Sequence, residues 1–546
     1  MSRWQRYWID DGGRWSAAIV RIAIATSVLM TLQRLATLST VHIPGPPELY
    51  RPIGLWMLLG HWVPPSSLVA VLWGLAVGAT FLMLVGLWTR AATAVSLVTA
   101  LALTSASFAS SASWSHQYNV VFLAQLAFLG ARGGDALSVD ALIRRWRGLP
   151  PIDAPGGYQW SLRLVQLAVA LMFAGAAFHK IMHGHFTLRW ALSDNLRHQL
   201  LVRYDLADLP RPALVDWIID DAWRFRTAAV LNLISQSSPI LACIFVRRPL
   251  IRALAGGFFA LEVVALALVV GLWNPHWLPL VAVFIDWERL GAWLGRRDAG
   301  PAAGSAAGSA RMPVVSHFAM AFVIAFVVYD AVTAIVPTLD QRLNTYPFSA
   351  FPMFATVRAR EPYGRHMPYA VPGDHFEALS DRPLDDHAQH WIDHINRRLY
   401  TVTDPAVYRA RIAAILADAQ QRFAAFGIHG LRHYLAIFEA PAYPAPAHFE
   451  AHPVAIMGEI DAAGTFHTAL GKLDATSVTL RPENLDASGA RLIAFVGEDP
   501  TPHELAATRS GVRFHTGRIE GDPLYVAAMI DGKPWLVATR RAWRWE

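Results

Sequence analysis

At 546 residues, 54% of them hydrophobic and 16% charged, the chain carries well under the roughly one-quarter charged residues usual for a soluble protein. Its net charge of +6 is scattered between apolar runs and forms no Lys/Arg block, which excludes a clustered nucleic-acid-binding face. The single cysteine, Cys243, excludes an intrachain disulfide framework and a cysteine-built metal site.

The first fifteen residues are charged and aromatic and lack a small-residue cleavage site, so the apolar run behind them is expected to be an uncleaved signal anchor. A membrane crossing needs about 20 apolar residues. On that ruler about nine runs qualify, near 16–38, 67–88, 91–110, 117–131, 160–181, 227–246, 253–272, 276–293 and 314–337. The run at 117–131 is short, and 253–293 is open to being one crossing plus a re-entrant piece. Trp56, Trp62, Trp73, Trp88, Trp114, Trp273, Trp277, Trp287 and Trp293 fall mostly near the ends of these runs, as an interfacial aromatic belt does.

Basic residues set the expected orientation. Arg3, Arg6 and Arg14 precede the first run; Arg132, Arg144, Arg145 and Arg147 follow the fourth; Arg247, Arg248 and Arg252 follow the sixth; Arg289, Arg296, Arg297 and Arg311 precede the last. With nine crossings all of these share one side, the cytoplasmic one, and an even count breaks that agreement. His116, the loop from His183 to Arg226 and everything after residue 337 then lie outside. The Gly/Ala/Ser-rich stretch 298–313 reads as a flexible linker.

Ionisable groups at membrane depth are costly and face a cavity or a partner. His179, Lys180, His183 and His185 crowd the outer end of the fifth run, and His116, Tyr118 and Asn119 open the fourth at the same level. Lys180 is either a lysine snorkelling to the headgroups or an amine kept in a partly dry place, where it can act as a base. His116 is either a loop-bound interfacial histidine or a site residue. Glu262, in FFALEVVALALVV, is expected to partner a buried Arg or Lys of another span rather than to do chemistry. His179 and His183 share a helical face, but Gly184 is expected to break the helix and no carboxylate is near, which argues against a metal.

The segment 338–383 is Pro-rich and expected to be an extended connector. Beyond it, 384–546 reads as a water-soluble α+β domain. Helical patterns run near 384–400 and 404–427, the second opened by Asp404-Pro405 and stopped at Gly427. From about 452 onward VAIMGEI, TSVTL, RLIAFV, VRFHTGRI, LYVAAMI and PWLVATR alternate with turns, predicting an antiparallel sheet. His387, His390 and His394 share one helical face, which reads as a solvated face ahead of a metal site. The fold class is therefore an α-helical multi-pass membrane domain (1–337) followed by a soluble α+β domain.

Three motifs in order carry a resemblance. FAGAAFHKI with the following amphipathic FTLRWALSDNLRHQLL resembles the signature of the HTTM (horizontally transferred transmembrane) domain, whose best-known member is vitamin K-dependent gamma-carboxylase. Ala174, Gly175 and Lys180 match, with a longer gap before the lysine and Ile181 in place of Leu. WSHQYN is similar to the family's Asn-His-x-Tyr element, with Ser115 replacing the Asn, and TYPFSAFPMFA at 345–355 is similar to the segment after the last span of bacterial relatives. The resemblance covers residues 1–355. It implies that Lys180 is the base that deprotonates a reduced, vitamin K-like quinol. Oxygenation then gives a strong base that removes a glutamate γ-proton, CO2 adds and the quinone epoxide leaves. It further implies that His116 hydrogen-bonds the quinol, that Tyr118, Asn119, His179 and Trp190 line its site, and that no metal takes part. The partners implied are membrane lipid and a peptide or protein substrate at the outer face of a bacterial inner membrane. A non-catalytic scaffold whose outer domain binds a peptide or envelope partner is the rival expectation. A transporter fits less well, since inverted repeats and mid-depth polar residues along several spans are not evident.

Overall fold

In this computed structural model the described residues are 7–8, 13–37, 50, 52–60, 62–111, 116–152, 157–205, 210–294, isolated positions within 317–332, 367–385, 388, 404–440, 443–444, 451–496, 502–519 and 523–539. Long apolar runs satisfy their backbone internally by forming helices, the form a lipid solvent demands. In chain order these are α1 (Arg14–Thr37), α2 (Ser66–Val85), α3 (Thr89–Ser111), the short α4 (Asn119–Ala127) and α5 (Val139–Trp146). Next come α6 (Gln159–His183), α7 (Arg189–Leu192), α8 (Asn195–Tyr204), α9 (Ala213–Ile219), α10 (Ala222–Ser237) and α11 (Pro239–Ile244). After α12 (Pro249–Val270) there is a 3-10 helix, Pro275–Phe284, and α13 (Trp287–Trp293). Among the described residues, six helical stretches are long and apolar enough to cross a membrane: α1, α2, α3, α6, α10 with α11, and α12.

Two expected crossings come out shorter. The run 117–131 forms only the nine-residue α4 behind a 3-10 turn. The run 276–293 divides into the 3-10 helix and α13; Pro279, inside the first piece, withholds a backbone N–H and keeps a regular α-helix from forming there. The expected crossing at 314–337 lies outside the described residues apart from isolated positions.

The two ends of the bundle are each tied together by hydrogen bonds. At one end Arg21, fully buried, donates to the carbonyls of Gly133 (2.8 Å), Leu137 (2.6 Å) and Leu84 (3.3 Å). There too Asp140 accepts from Trp88 and Thr89 N–H, and Glu288 accepts from Trp15 and Ser16 N–H. Arg14, Arg90, Arg132 and Arg289 thus sit on segments that gather at this end. At the opposite end Arg34 donates to Trp273 O, Tyr204 to Val269 O (3.1 Å), and Trp277 to Gln117 O (2.6 Å). The bundle's flanks carry exposed Val71 and Phe81 on α2, Leu231 on α10, and Leu254, Leu261 and Leu268 on α12. Apolar flanks of this kind suit hydrocarbon rather than water. Trp62, Trp88, Trp273 and Trp293 are exposed as belt residues are, but Trp56 and Trp277 are buried inside the bundle, which corrects their expected place.

The C-terminal region has three layers. The main sheet runs β1-β2-β3-β12-β11-β7-β8, with β4 (Phe466–His467) added to β3 as its eighth strand. Here β1 is Met367–Ser380, β2 Ile428–Ala440, β3 Ala451–Ile460, β7 Arg491–Val496, β8 His503–Glu504, β11 Pro523–Ile530 and β12 Lys533–Thr539. Every pairing is antiparallel except the short β3–β12 contact at Ile456↔Trp535. A second sheet, β5-β6-β10-β9 (Lys472–Leu473, Ser477–Thr479, Arg513–His515, Thr508–Ser510), packs Val478 and Phe514 on one face against Val526, Ala528 and Val537. On the other face α14 (Pro405–Arg422) buries Tyr408, Ile412, Ile415 and Leu416 against Leu431, Leu435 and Met457. β1 falls inside the segment expected to be a connector, so the sheet begins well before residue 384. The expected 384–400 helix, apart from positions 384, 385 and 388, lies outside the described residues, as do His387, His390 and His394, the 298–313 linker and 345–355.

The α14 cap is as the sequence suggests: the Asp404 carboxylate accepts from Ala406 N–H (2.8 Å) and Val407 N–H (3.0 Å), with Pro405 at the first helical position. Asp404→Ala is expected to destabilise the domain by about 1 kcal/mol, read as a lower denaturation midpoint.

Under α14 the Tyr408 hydroxyl meets His433 Nδ1 at 2.7 Å, and Phe376 stacks on the imidazole at 4.5 Å. Burial depresses His433 from its ordinary 6.5 to about 3, because a charged imidazole there has no water to solvate it. The unfolded chain takes up that proton near pH 6.5 while the folded chain does not, so stability falls as pH drops from about 6.5 toward 3. Each pH unit in that window is expected to remove up to about 1.4 kcal/mol. Thermal denaturation of the whole protein at pH 7, 6 and 5 checks this, and His433→Gln should flatten the slope.

Candidate functional site

Two oppositely charged side chains, Lys180 and Glu262, are buried deep in the bundle toward its far end. Lys180 lies one turn before the end of α6, which Gly184 stops, and is 1% exposed. A lysine snorkelling into bulk water is therefore not what the structure places here. Its ammonium donates to Asn232 Oδ1 at 2.5 Å and Gln236 Oε1 at 3.0 Å. It also sits 4.4 Å from the centre of the Trp190 ring, whose π face takes a cation favourably.

Asn232 and Gln236 are four residues apart on α10, so both amides project from one face. Their oxygens face Lys180 and their nitrogens face the other way, donating to Glu262 Oε1 at 2.7 Å and 2.9 Å. Glu262, on α12, is also 1% exposed. The result is a layered chain of ammonium, two oriented amides and carboxylate across three helices. It answers the desolvation of both charges, since each has hydrogen-bonded neighbours and an opposite charge nearby. Trp190 is held in turn by Ala177 of α6 and Ala229 and Leu233 of α10.

The other expected residues fall into a second cluster. Tyr118 (1% exposed) stacks on Phe108 at 5.8 Å and lies 5.3 Å from the His276 ring; Asn119 is fully buried beside it in sequence. His276 and Trp277, from the start of the 3-10 helix, both reach the Gln117 carbonyl. Aromatic contacts join the two clusters: Trp277 meets Phe173 at 5.3 Å, and Phe173 meets Phe259 at 4.9 Å. Phe259 lies one helical turn before Glu262 and Phe173 two turns before Lys180. His179 is buried on α6 next to Lys180, whereas His185 is exposed past the helix end. The side chains of His116 and His183 lie outside the described residues. Among the described residues no three His, Cys, Asp or Glu side chains converge as metal ligands do.

Sequence reasoning passed over Asn232, Gln236 and His276. The first two carried a signal, two amides at helical spacing inside an apolar run; His276, in a Pro-rich turn, carried none.

The segment expected to be an amphipathic outer helix is instead packed on most sides. In α8, Asn195, Arg197, His198, Leu200, Leu201 and Tyr204 are all buried. Part of their cover comes from the C-terminal domain: Ala436 of β2 packs with Leu200 and Leu201, and the Tyr443 ring lies 6.1 Å from Phe225. Tyr443 N–H donates to the buried Asp194 carboxylate (2.9 Å), which also pairs with Arg226 (3.2 Å). The C-terminal domain thus docks on α8 and on α10, the helix that also carries Asn232, at the end opposite the basic loops. The chain matches no protein-family model, no curated protein and no solved structure.

Proposed function

We propose that this chain is a quinol-using, carboxylase-like enzyme of a bacterial inner membrane, an HTTM-family protein with its site at the outer face. The observation that carries this is the burial of the Lys180 amine beneath Trp190, with the carboxylate of Glu262 behind two amides. Lys180 and Glu262 together carry no net charge either as ammonium and carboxylate or as amine and carboxylic acid. A free amine can therefore exist there without adding charge to a low-dielectric bundle. That is what a base working away from water requires.

The surroundings fit a flat apolar head group: Trp190, Phe173, Phe259 and Trp277 supply aromatic faces and Lys180 supplies a polar contact. A reduced quinone, when bound, supplies the electrons for oxygen activation. Lys180 accepts a proton at Nζ, Trp190 covers that nitrogen from water, and His116, Tyr118, Asn119 and His179 orient the ring. Carboxylation of a glutamate in a peptide held by the C-terminal domain is the fullest form of this proposal.

Nine crossings, a cytoplasmic N-terminus and a periplasmic C-terminal domain belong to the same proposal. The hydrogen bonds that gather basic segments at one end, and the docking of Tyr443 at the other, support that orientation. A non-catalytic scaffold whose outer domain binds a peptide draws on one observation, that Lys180 already has two hydrogen-bonded neighbours.

The test supplies a reduced naphthoquinone and oxygen to the purified protein in detergent. Epoxide above the protein-free rate supports the enzyme; quinol oxidation at the blank rate with no epoxide supports the scaffold.

A further inference from the structure

His276 opens the 3-10 helix that turns back into the bundle after α12, and it is completely buried. Its Nε2 lies 3.1 Å from the Gln117 carbonyl oxygen, which Trp277 Nε1 also reaches at 2.6 Å. A carbonyl only accepts, so Nε2 carries the ring proton. In the neutral ring Nδ1 is then a bare lone pair. Nδ1 is buried, and among the described residues no donor reaches it. A second proton at Nδ1 would set an imidazolium near the Arg34 guanidinium, which is held at Trp273 and Asn274 just before it in the chain. Buried acceptors are nearly always paired, and an orphan one marks a place where a donor is missing.

The neighbours of His276 are aromatic rings. Tyr118 lies 5.3 Å from His276 at 33° and is stacked on Phe108. Trp277 is edge-on to His276 and touches Phe173 of α6, the helix that carries Lys180. An acceptor beside stacked rings suits an aromatic ligand that brings an O–H. A quinol has that hydrogen; the oxidised quinone has only carbonyl oxygens and leaves Nδ1 unpaired.

We propose that His276 Nδ1 is the acceptor by which this protein selects the reduced, hydroxyl-bearing form of its aromatic ligand over the oxidised form. This rests on the quinol reading and adds a residue that sets redox-state preference. The deciding chemistry is a single hydrogen bond to a group that is otherwise unpaired, and sites of that kind reject analogues lacking the donor.

The test uses the full chain in lipid nanodiscs and two probes that share one heavy-atom skeleton, 1,4-dihydroxynaphthalene kept anaerobic and 1,4-naphthoquinone. Binding is measured after subtracting partition into empty nanodiscs. Wild type is expected to prefer the dihydroxy probe by about tenfold. His276→Phe should bind the two alike, whereas His276→Gln, which can donate to Gln117 and still offer an oxygen, should keep a preference. Wild type without preference, or a preference undiminished in His276→Phe, overturns the assignment while leaving epoxide formation as a separate question. Failure of wild type to bind either probe overturns the assignment and the quinol reading together.

Discussion

Lys180→Met alone is expected to destabilise the bundle by about 3–5 kcal/mol, and Glu262→Leu alone by a similar amount, while the double variant recovers most of the loss. Either single change leaves one charge buried with two amides oriented for a partner that has gone. Removing both leaves Asn232 and Gln236 free to bond each other or lipid-borne water. Denaturation midpoints of the four proteins in one detergent give the coupling directly. If the two single losses add in the double variant, the amide-linked ion pair is not a unit, and the physical basis for a free amine at Lys180 goes with it.

The same double variant makes the second large prediction clean, because it separates folding from chemistry. With the fold restored, epoxide formation should still fall by roughly a hundred- to ten-thousand-fold, the usual contribution of a positioned base. Lys180→Ala, tested alone, confounds the two effects. Turnover in Lys180→Met/Glu262→Leu equal to wild type would remove Lys180 from the reaction and leave the ion pair a structural role only.

What was legible in the sequence follows from how local each signal is. The long helices were readable because some twenty apolar residues in a row suffice to specify them, and α14 because Asp404, Pro405 and Gly427 mark its ends within the segment itself. Pro279 could have warned against a regular crossing at 276–293, but apolar content outweighed it in a window average. β1 and β2 were missed as strands. Their pairing, Met367↔Ala440 through Ser380↔Ile428, joins segments with α14 between them, and two prolines and a glycine in β1 disguise its alternation.

At the site, a cation at the end of an apolar run left Lys180 open between snorkelling and shelter, and only the packing places it 1% exposed. Glu262 was expected to partner a buried cation of another span, and it faces Lys180 across two amides. The amides' helical spacing was visible, but only the packing of α6, α10 and α12 shows which way they point. Docking of Tyr443 on Asp194 spans 249 residues of sequence and no local pattern foretells it.

The chain contains three lysines, Lys180, Lys472 and Lys533, and the last two are exposed in the C-terminal domain. A water-soluble amine-acylating reagent, followed by peptide mass spectrometry, therefore reports on Lys180 against two internal standards. In the folded protein Lys472 and Lys533 should be modified readily, with Lys180 modified only once the bundle is denatured. Acylation of Lys180 in the native protein at the rate of the other two would put its nitrogen in open water and contradict the sheltered base on which the functional account stands.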